Sequence, residues 1–203
     1  MYQRDESRDD LHLEARETLN PQALHQLWRL ESGALRLASR NDGGTSTFVR
    51  LILPGDLVGV EILAGVAPRI DVGALTESLL VPVVLPEGAF LNQMWMDAVA
   101  QAHQRARDMA SMRTGPTEKR VRQLLHALSA RRGEGGDATL DCTLPSLNDM
   151  ATVLNAAPET VCRVLRALKE NNVLQDVSSK PSKFSRLYNR SHNLSQSLAI
   201  GAS

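Results

Sequence analysis

Between residues 11 and 86 the chain alternates apolar and polar positions with a period of two. The stretches "GALRLAS" (33–39) and "TFVRLIL" (47–53) show it best, and the "RNDGGTS" between them carries Asp42-Gly43-Gly44, a strong hairpin signal. "LPGDLVG" (53–59) adds a Pro-Gly turn and another short strand, and "VGALTESLLVPVVL" (72–85) supplies further strand. Many short strands punctuated by Gly and Pro predict a sandwich or roll.

Near Phe90 the period changes. "FLNQMWMDAVAQAHQRARDMASMR" contains no Gly or Pro and is rich in Ala, Gln, Met and Arg, which predicts one long helix. Trp95, Val99, Ala102, Ala106 and Met109 recur at spacings of 4, 3, 4 and 3. That is the a/d seam by which one helix faces another along its length, and small alanines would let two backbones approach closely. The same spacing also serves an amphipathic helix packed on its own domain. "TGPTEK" (114–119) ends the helix, since Gly115 can terminate one and Pro116 cannot continue it. A second helix, 117–132, sets Val121, Leu124, Leu125 and Leu128 on one face, and "GEGGD" (133–137) reads as a loop. The pattern is α+β in three parts: a β domain over 1–89, a long helix over 90–114 and a mainly helical domain over 115–203.

Within the last part, "LPSLNDMATVLNAAPETVCRVLRALKE" (144–170) holds two helical stretches. Ser146 followed by Asp149 resembles a capping box with Asp in the usual Glu place. Leu147, Met150, Ala151 and Leu154 form an apolar face, and Asn155 suits the left-handed backbone of a tight turn. Pro158 stands where a helix begins: at the first position it loses no hydrogen bond and presets φ. In the second helix Val161, Val164, Leu165 and Leu168 form the buried face, while Glu159, Thr160, Cys162, Arg163 and Arg166 fall largely elsewhere. Two helices joined by a short turn, the second polar at its front, are the arithmetic of a helix-turn-helix. A guanidinium there can read guanine and a carboxylate can accept from cytosine. Glu159 and Arg163 are four apart, so they could equally pair with each other. After the pair, Val173 and Leu174, a polar turn with Lys180 and Lys183, and then Phe184 and Leu187 predict a two-stranded wing. Its lysines would either contact phosphate or lie in a solvated loop.

Charge sharpens this picture. The net charge of the 203 residues is zero, but residues 1–112 hold 10 basic and 15 acidic side chains, whereas 113–203 hold 13 and 8. An acidic front and a basic back point the back half at a polyanion. Aromatic residues make up 3% of the chain, which argues against a single-strand binder that needs stacking platforms. The longest strongly apolar stretch, "LLVPVVL" (79–85), is too short to span a membrane. "MYQRDESRDD" lacks the apolar core of a signal peptide, and two cysteines without a CxxC predict a cytoplasmic protein with reduced thiols.

The order of β region, long helix and helix-turn-helix resembles the cyclic-AMP receptor protein/fumarate–nitrate regulator (CRP/FNR) superfamily of bacterial transcription factors. "RLESGALRL" (29–37), "LPGDLVG" (53–59) and "ETVCRVLRALKENNVL" (159–174) carry the resemblance, which covers roughly residues 25–190. It implies a jelly-roll-like β-roll sensor domain with a cyclic-nucleotide-binding-like fold, a dimerisation helix and a winged helix-turn-helix. It also implies a homodimer on double-stranded DNA, a palindromic operator with helix 158–171 in its major groove, and RNA polymerase as a partner. Glu159 and Arg163 would take the base-reading positions, Arg166 a phosphate-side position, and Ser146 a contact to backbone phosphate. Cys162 stands where relatives often carry a small residue, and Pro158 where the cyclic-AMP receptor has a base-reading arginine. Cyclic-AMP binders carry a Gly-Glu pair and then Arg-Ser ahead of the next strand. Here, in "GVEILAGVAPRIDV" (59–72), Val60 follows Gly59, Glu61 comes one place late and Ile70 follows Arg69. The expectation is therefore no cyclic-AMP dependence, with the effector, if any, unknown.

Two other classes compete. A haem- or metal-binding sensor would need ligand spacing, but His12, His25, His103, His126 and His192 are scattered, without HxH or HExxH. An enzyme on this scaffold would need a nucleophile elbow, a phosphate loop or a His-x-His, and none is present. Cys162 on the DNA face has two readings, a serine-like spacer or a redox-sensitive thiol.

Overall fold

A computed structural model describes residues 9–41, 43–65, 69–85, 88–129, 140–171 and 174–176. Alternation becomes two antiparallel sheets laid face to face. One contains β1 (Leu11–Leu13), β7 (Ser78–Pro82), β2 (Trp28–Ser32) and β5 (Leu57–Val58), in the order β1-β7-β2-β5. The other contains β4 (Ser46–Ile52), β3 (Leu35–Arg40) and β6 (Ile70–Ala74), in the order β4-β3-β6. Leu30, Leu35, Ile52, Val58, Val72 and Leu80 fill the space between them. Each such side chain, fully removed from water, contributes about 1.5–3 kcal/mol relative to exposure. Gly33 makes the tight β2–β3 turn with φ +89°, and a Cβ there would collide with the Glu77 carbonyl and with Ser78. The segment between β1 and β2 supplies a short 3-10 helix (Pro21–His25) and an isolated bridge from Thr18 to Gly73.

A register shift in the β3–β4 pairing has consequences beyond the roll. Leu37 faces Arg50, but Ala38 faces Phe48, so Val49 is the extra residue of a bulge. The bulge turns Arg50 to the inner face beside Leu37 and puts Phe48 on the outer face with Leu51. That outer face joins a second core with Met109, Met112, Val121, Leu124, Leu125, Leu154 and Leu168. The outer face of the β domain and the C-terminal helices thus share one apolar cluster, distinct from the one between the sheets.

One helix is set within the roll and one follows it. A single turn, α1 (Val60–Leu63), comes directly after β5, and the long α2 (Ala89–Arg113) starts after β7. The α2 face bearing Met94, Ala98, Met109 and Met112 is buried. Thr114, Gly115 and Pro116 break the helix, and α3 (Thr117–Ser129) buries Val121, Leu124 and Leu125. The last part contains β8 (Leu140–Cys142), α4 (Leu147–Leu154), α5 (Pro158–Glu170) and β9 (Leu174–Asp176). Leu174 pairs in parallel with Leu140, so the strand read as the start of a wing is bound to the segment before α4. Lys180, Lys183, Phe184 and Leu187 lie outside the described residues.

Candidate nucleic-acid interface

The helix pair is assembled by local chemistry. The Ser146 hydroxyl accepts the Asp149 backbone N–H at 3.2 Å, an N-cap, and donates to Asp149 Oδ2 at 2.5 Å, so the aspartate engages the cap through the hydroxyl rather than through the Ser146 backbone N–H of a full capping box. Met150, Ala151, Val153 and Leu154 bury the inner face of α4. Asn155 then takes the left-handed conformation (φ 49°, ψ 54°), and α5 opens on Pro158 after an extended Ala157. The proline sits at the position where its missing N–H costs nothing.

On α5 the division of faces is sharp. Val161, Leu165 and Leu168 are buried, with Val164 packed partly against the same core. Glu159, Arg163 and Arg166 are exposed, while Thr160 and Cys162 are half-buried. Among the described residues no ion pair joins Glu159 to Arg163, so their i,i+4 spacing is not used internally. Asn148, Thr152 and Asn155 of α4 and its turn join Ala157 and Pro158 around an open hollow between the two helices. Asn155 was read in the sequence only as a turn residue, and Asn148 and Thr152 were not singled out; these two are exposed polar positions of α4 outside its apolar stripe, which is the signal that could have found them.

Two arginines outside the pair hold its turn. Arg113, the last residue of α2, donates to the carbonyls of Val153 (3.0 Å) and Thr152 (3.3 Å). Arg120, in α3, donates to those of Leu154 (2.8 Å) and Asn155 (3.3 Å). Neither was read as functional in the sequence, because each meets its partners across more than thirty positions.

The proposed seam of α2 divides. Val99, Ala102 and Ala106 are exposed, with Trp95 half-buried against the roll. Met109 is 6% exposed and faces the chain's own core, so it does not line that open face. The reason is angular: α2 carries two apolar stripes, and Met109 lies at the edge of both.

No family model matches the chain. It is 28% identical over 156 residues to the transcriptional regulator LdrP of Thermus thermophilus, covering 73% of this chain and 77% of that one. Among solved structures it resembles a CRP-family transcriptional regulator of Thermus thermophilus, with TM-score 0.57, 24% identity and coverage of 79% and 85%. It also resembles FixK2 of Bradyrhizobium japonicum, with TM-score 0.59, 20% identity and coverage of 80% and 85%. The fold is that of the CRP/FNR regulators.

The interior of the roll contains an ion pair. Arg50 of β4 donates from Nη2 to Glu61 Oε1 of α1 at 2.6 Å, and both side chains are largely buried. Glu61 Oε2 is buried and has no hydrogen-bond partner among the described residues. Arg69 is exposed and Ile70 is buried, so an apolar side chain stands where the resemblance places the serine of a phosphate clamp. Among the described residues no group of three His, Cys, Asp or Glu could hold a metal, and His192 lies outside them. Among them, too, no helix is long and apolar enough to cross a membrane. Cys162 is a free thiol.

The roll is latched to α2 by a second buried group. Arg105 donates to both oxygens of Asp56 (2.7 and 3.1 Å) and to Asp108 (2.7 Å). Asp56 also accepts the Leu53 N–H, and Gln101 donates to the Gly55 carbonyl. Burial pulls the Arg105 pKa down, but its hydrogen bonds and charge attraction to Asp56, then to Asp108, outweigh this and raise it above the ordinary guanidinium range.

Proposed function

We propose that the chain is a homodimeric, sequence-specific regulator of transcription, with α5 lying in the major groove of a two-fold DNA site and no catalysis of its own. One observation carries the reading: α5 commits one face to the core and leaves Glu159, Arg163 and Arg166 exposed and unpaired with one another. An exposed guanidinium at the front of such a helix can make the bidentate contact to guanine, and an exposed carboxylate can accept from cytosine. Thr160 and Cys162 flank these readers, with Cys162 as a small spacer, and Pro158 presets the helix start. Arg166 serves the phosphate side, joined by Lys180 and Lys183.

The dimer is supported by the open face of α2, where Val99 is 64% exposed beside Ala102 and Ala106. Apolar and small residues on a long exposed helix match a helix–helix contact. Independence from cyclic AMP is supported by Glu61, which is engaged by Arg50, and by Ile70. RNA polymerase is the downstream partner in this reading.

The test is selection of bound sequences from random duplex DNA, together with the mass in solution. The expected result is a palindromic consensus, a dimeric mass, no response to cyclic AMP, and affinity that falls steeply with salt. A monomer with no preference among duplexes would refute the reading.

A further inference from the structure

Four carbonyls at the C-terminal end of α4, those of Thr152 to Asn155, lie past the reach of the helix ladder, and from the backbone that of Thr152 accepts only the capping Asn155 N–H, at 3.3 Å. Arg113 and Arg120 take all four. The two arginines stand on opposite sides of the Thr114-Gly115-Pro116 break, where Gly115 has φ +83° and no atom within 4 Å of a Cβ position. Arg120 is braced by donating to Thr117 Oγ1 at 2.7 Å. Arg113 lies over the ring of Phe48, 5.0 Å from its centroid, a cation–π contact to the bulged strand of the roll. The α2 end, the α3 start and the roll therefore converge on the one point from which the turn into α5 departs. Positive side chains are also favoured at a helix C-terminus.

α4 has eight residues, too few to be stable or to hold a direction by itself. Its buried face fixes how it sits on the core, while the arginines restrain the end that aims α5. Rotation about Gly115 would carry Arg113 and Arg120 apart and break one of the two pairs of arginine–carbonyl hydrogen bonds, including the part-buried bond to Val153 or to Leu154.

We infer that Arg113 and Arg120 are positioning residues for DNA reading, and that Phe48 couples the β-roll to the reading helix through Arg113. The inference rests on the proposed function, but one arm of its test does not. That arm is amide hydrogen exchange on the free full-length protein, compared among wild type, Arg113→Ala, Arg113→Lys, Arg120→Ala, Phe48→Leu and the Phe48→Leu/Arg113→Ala double variant. Leucine keeps apolar packing at position 48 and removes the ring face. Arg113→Ala and Arg120→Ala should speed exchange at residues 155–161 by about 3- to 30-fold, with the amides of α3 unchanged. Arg113→Lys, which keeps the charge but not the two-pronged donor, should fall between wild type and alanine. Phe48→Leu should speed exchange at the turn in the wild-type background and add nothing in the Arg113→Ala background.

The second arm is the ratio of operator affinity to random-duplex affinity, measured where circular dichroism shows every variant folded. The arginine variants should lower that ratio by about 3- to 30-fold with random-duplex affinity unchanged, because aim is lost and charge on the DNA face is not. Unchanged exchange at 155–161 in both alanine variants overturns the grip. Equal Phe48→Leu effects in both backgrounds overturn the coupling. If wild type binds no duplex DNA, the regulator reading and the aiming role fall together, while the exchange arm still decides the grip.

Discussion

The seam between α2 and the roll and the front of α5 both carry arginines, and they are used in opposite ways. Arg105 makes three hydrogen bonds to two carboxylates of its own chain, in a place where little of it meets water. Arg163 lies exposed with no ion-pair partner among the described residues. A charge satisfied internally fixes geometry, and one left outside is free to contribute to a complex. Arg113 and Arg120 belong to the first kind, although what they fix is the platform for the second. The difference shows how a neutral chain can hold an acidic-lined latch between α2 and the roll and still leave guanidinium groups open on α5.

The most damaging way to test this contrast is at the latch. Asp56→Ala removes two of the Arg105 hydrogen bonds and the acceptor for the Leu53 N–H, leaving a partly buried guanidinium held by Asp108 alone. Breaking a buried pair from one side costs about 3 kcal/mol or more. Thermal unfolding should show that loss, and Asp56→Asn, which keeps an acceptor, should recover part of it. The raised guanidinium pKa gives a sign for pH. Its contribution is complete below the unfolded value and fades only as pH climbs through the higher folded value. The gap between wild type and Asp56→Ala should therefore stay constant from neutral pH through moderately alkaline solution. A gap below about 0.5 kcal/mol, the range of ordinary surface substitutions, would mean that the latch holds nothing.

Arg163→Ala should act in the reverse sense. Stability should move by no more than about 0.5 kcal/mol, while discrimination at one base pair in each half-site should fall by about 1–3 kcal/mol. Binding titrations against a set of single-base operator variants would show it. Selectivity equal to wild type at every position would remove Arg163 from the readers.

These two arginines also show what could be read from the chain alone. The α4–α5 pair was legible because its determinants are local: a serine cap, an asparagine turn, a proline at the helix start and an apolar stripe all lie within 25 residues. The strands were legible from alternation and turn residues. The latch was not, because Asp56 and Arg105 are 49 positions apart and nothing in either neighbourhood names the other. The arginine grip on α4 has the same cause. α1 has four residues, less than two turns, so it offers no period to detect. Met109 was set with Val99 and Ala106 because a 4-3 spacing fits two adjacent stripes of one helix, and only packing shows which stripe the chain keeps for itself. The bulge at Val49 likewise left no mark in the alternation, yet it decides that Phe48 faces Arg113.

Ser146 gives the smallest and most discriminating case, because it stands between the two uses. The family resemblance places it against backbone phosphate, but here its oxygen accepts the Asp149 N–H and its proton goes to the Asp149 carboxylate. A hydroxyl has one proton to donate, so one already given to Asp149 is not available to a phosphate unless the carboxylate releases it. Loss of an N-cap costs about 1 kcal/mol. Ser146→Ala should therefore lower the unfolding free energy by that amount and leave operator affinity unchanged at a temperature where both proteins are folded. The opposite pattern, weakened binding to every duplex with unchanged stability, would show that the hydroxyl turns from Asp149 to the DNA backbone on binding and would move Ser146 to the side of Arg163.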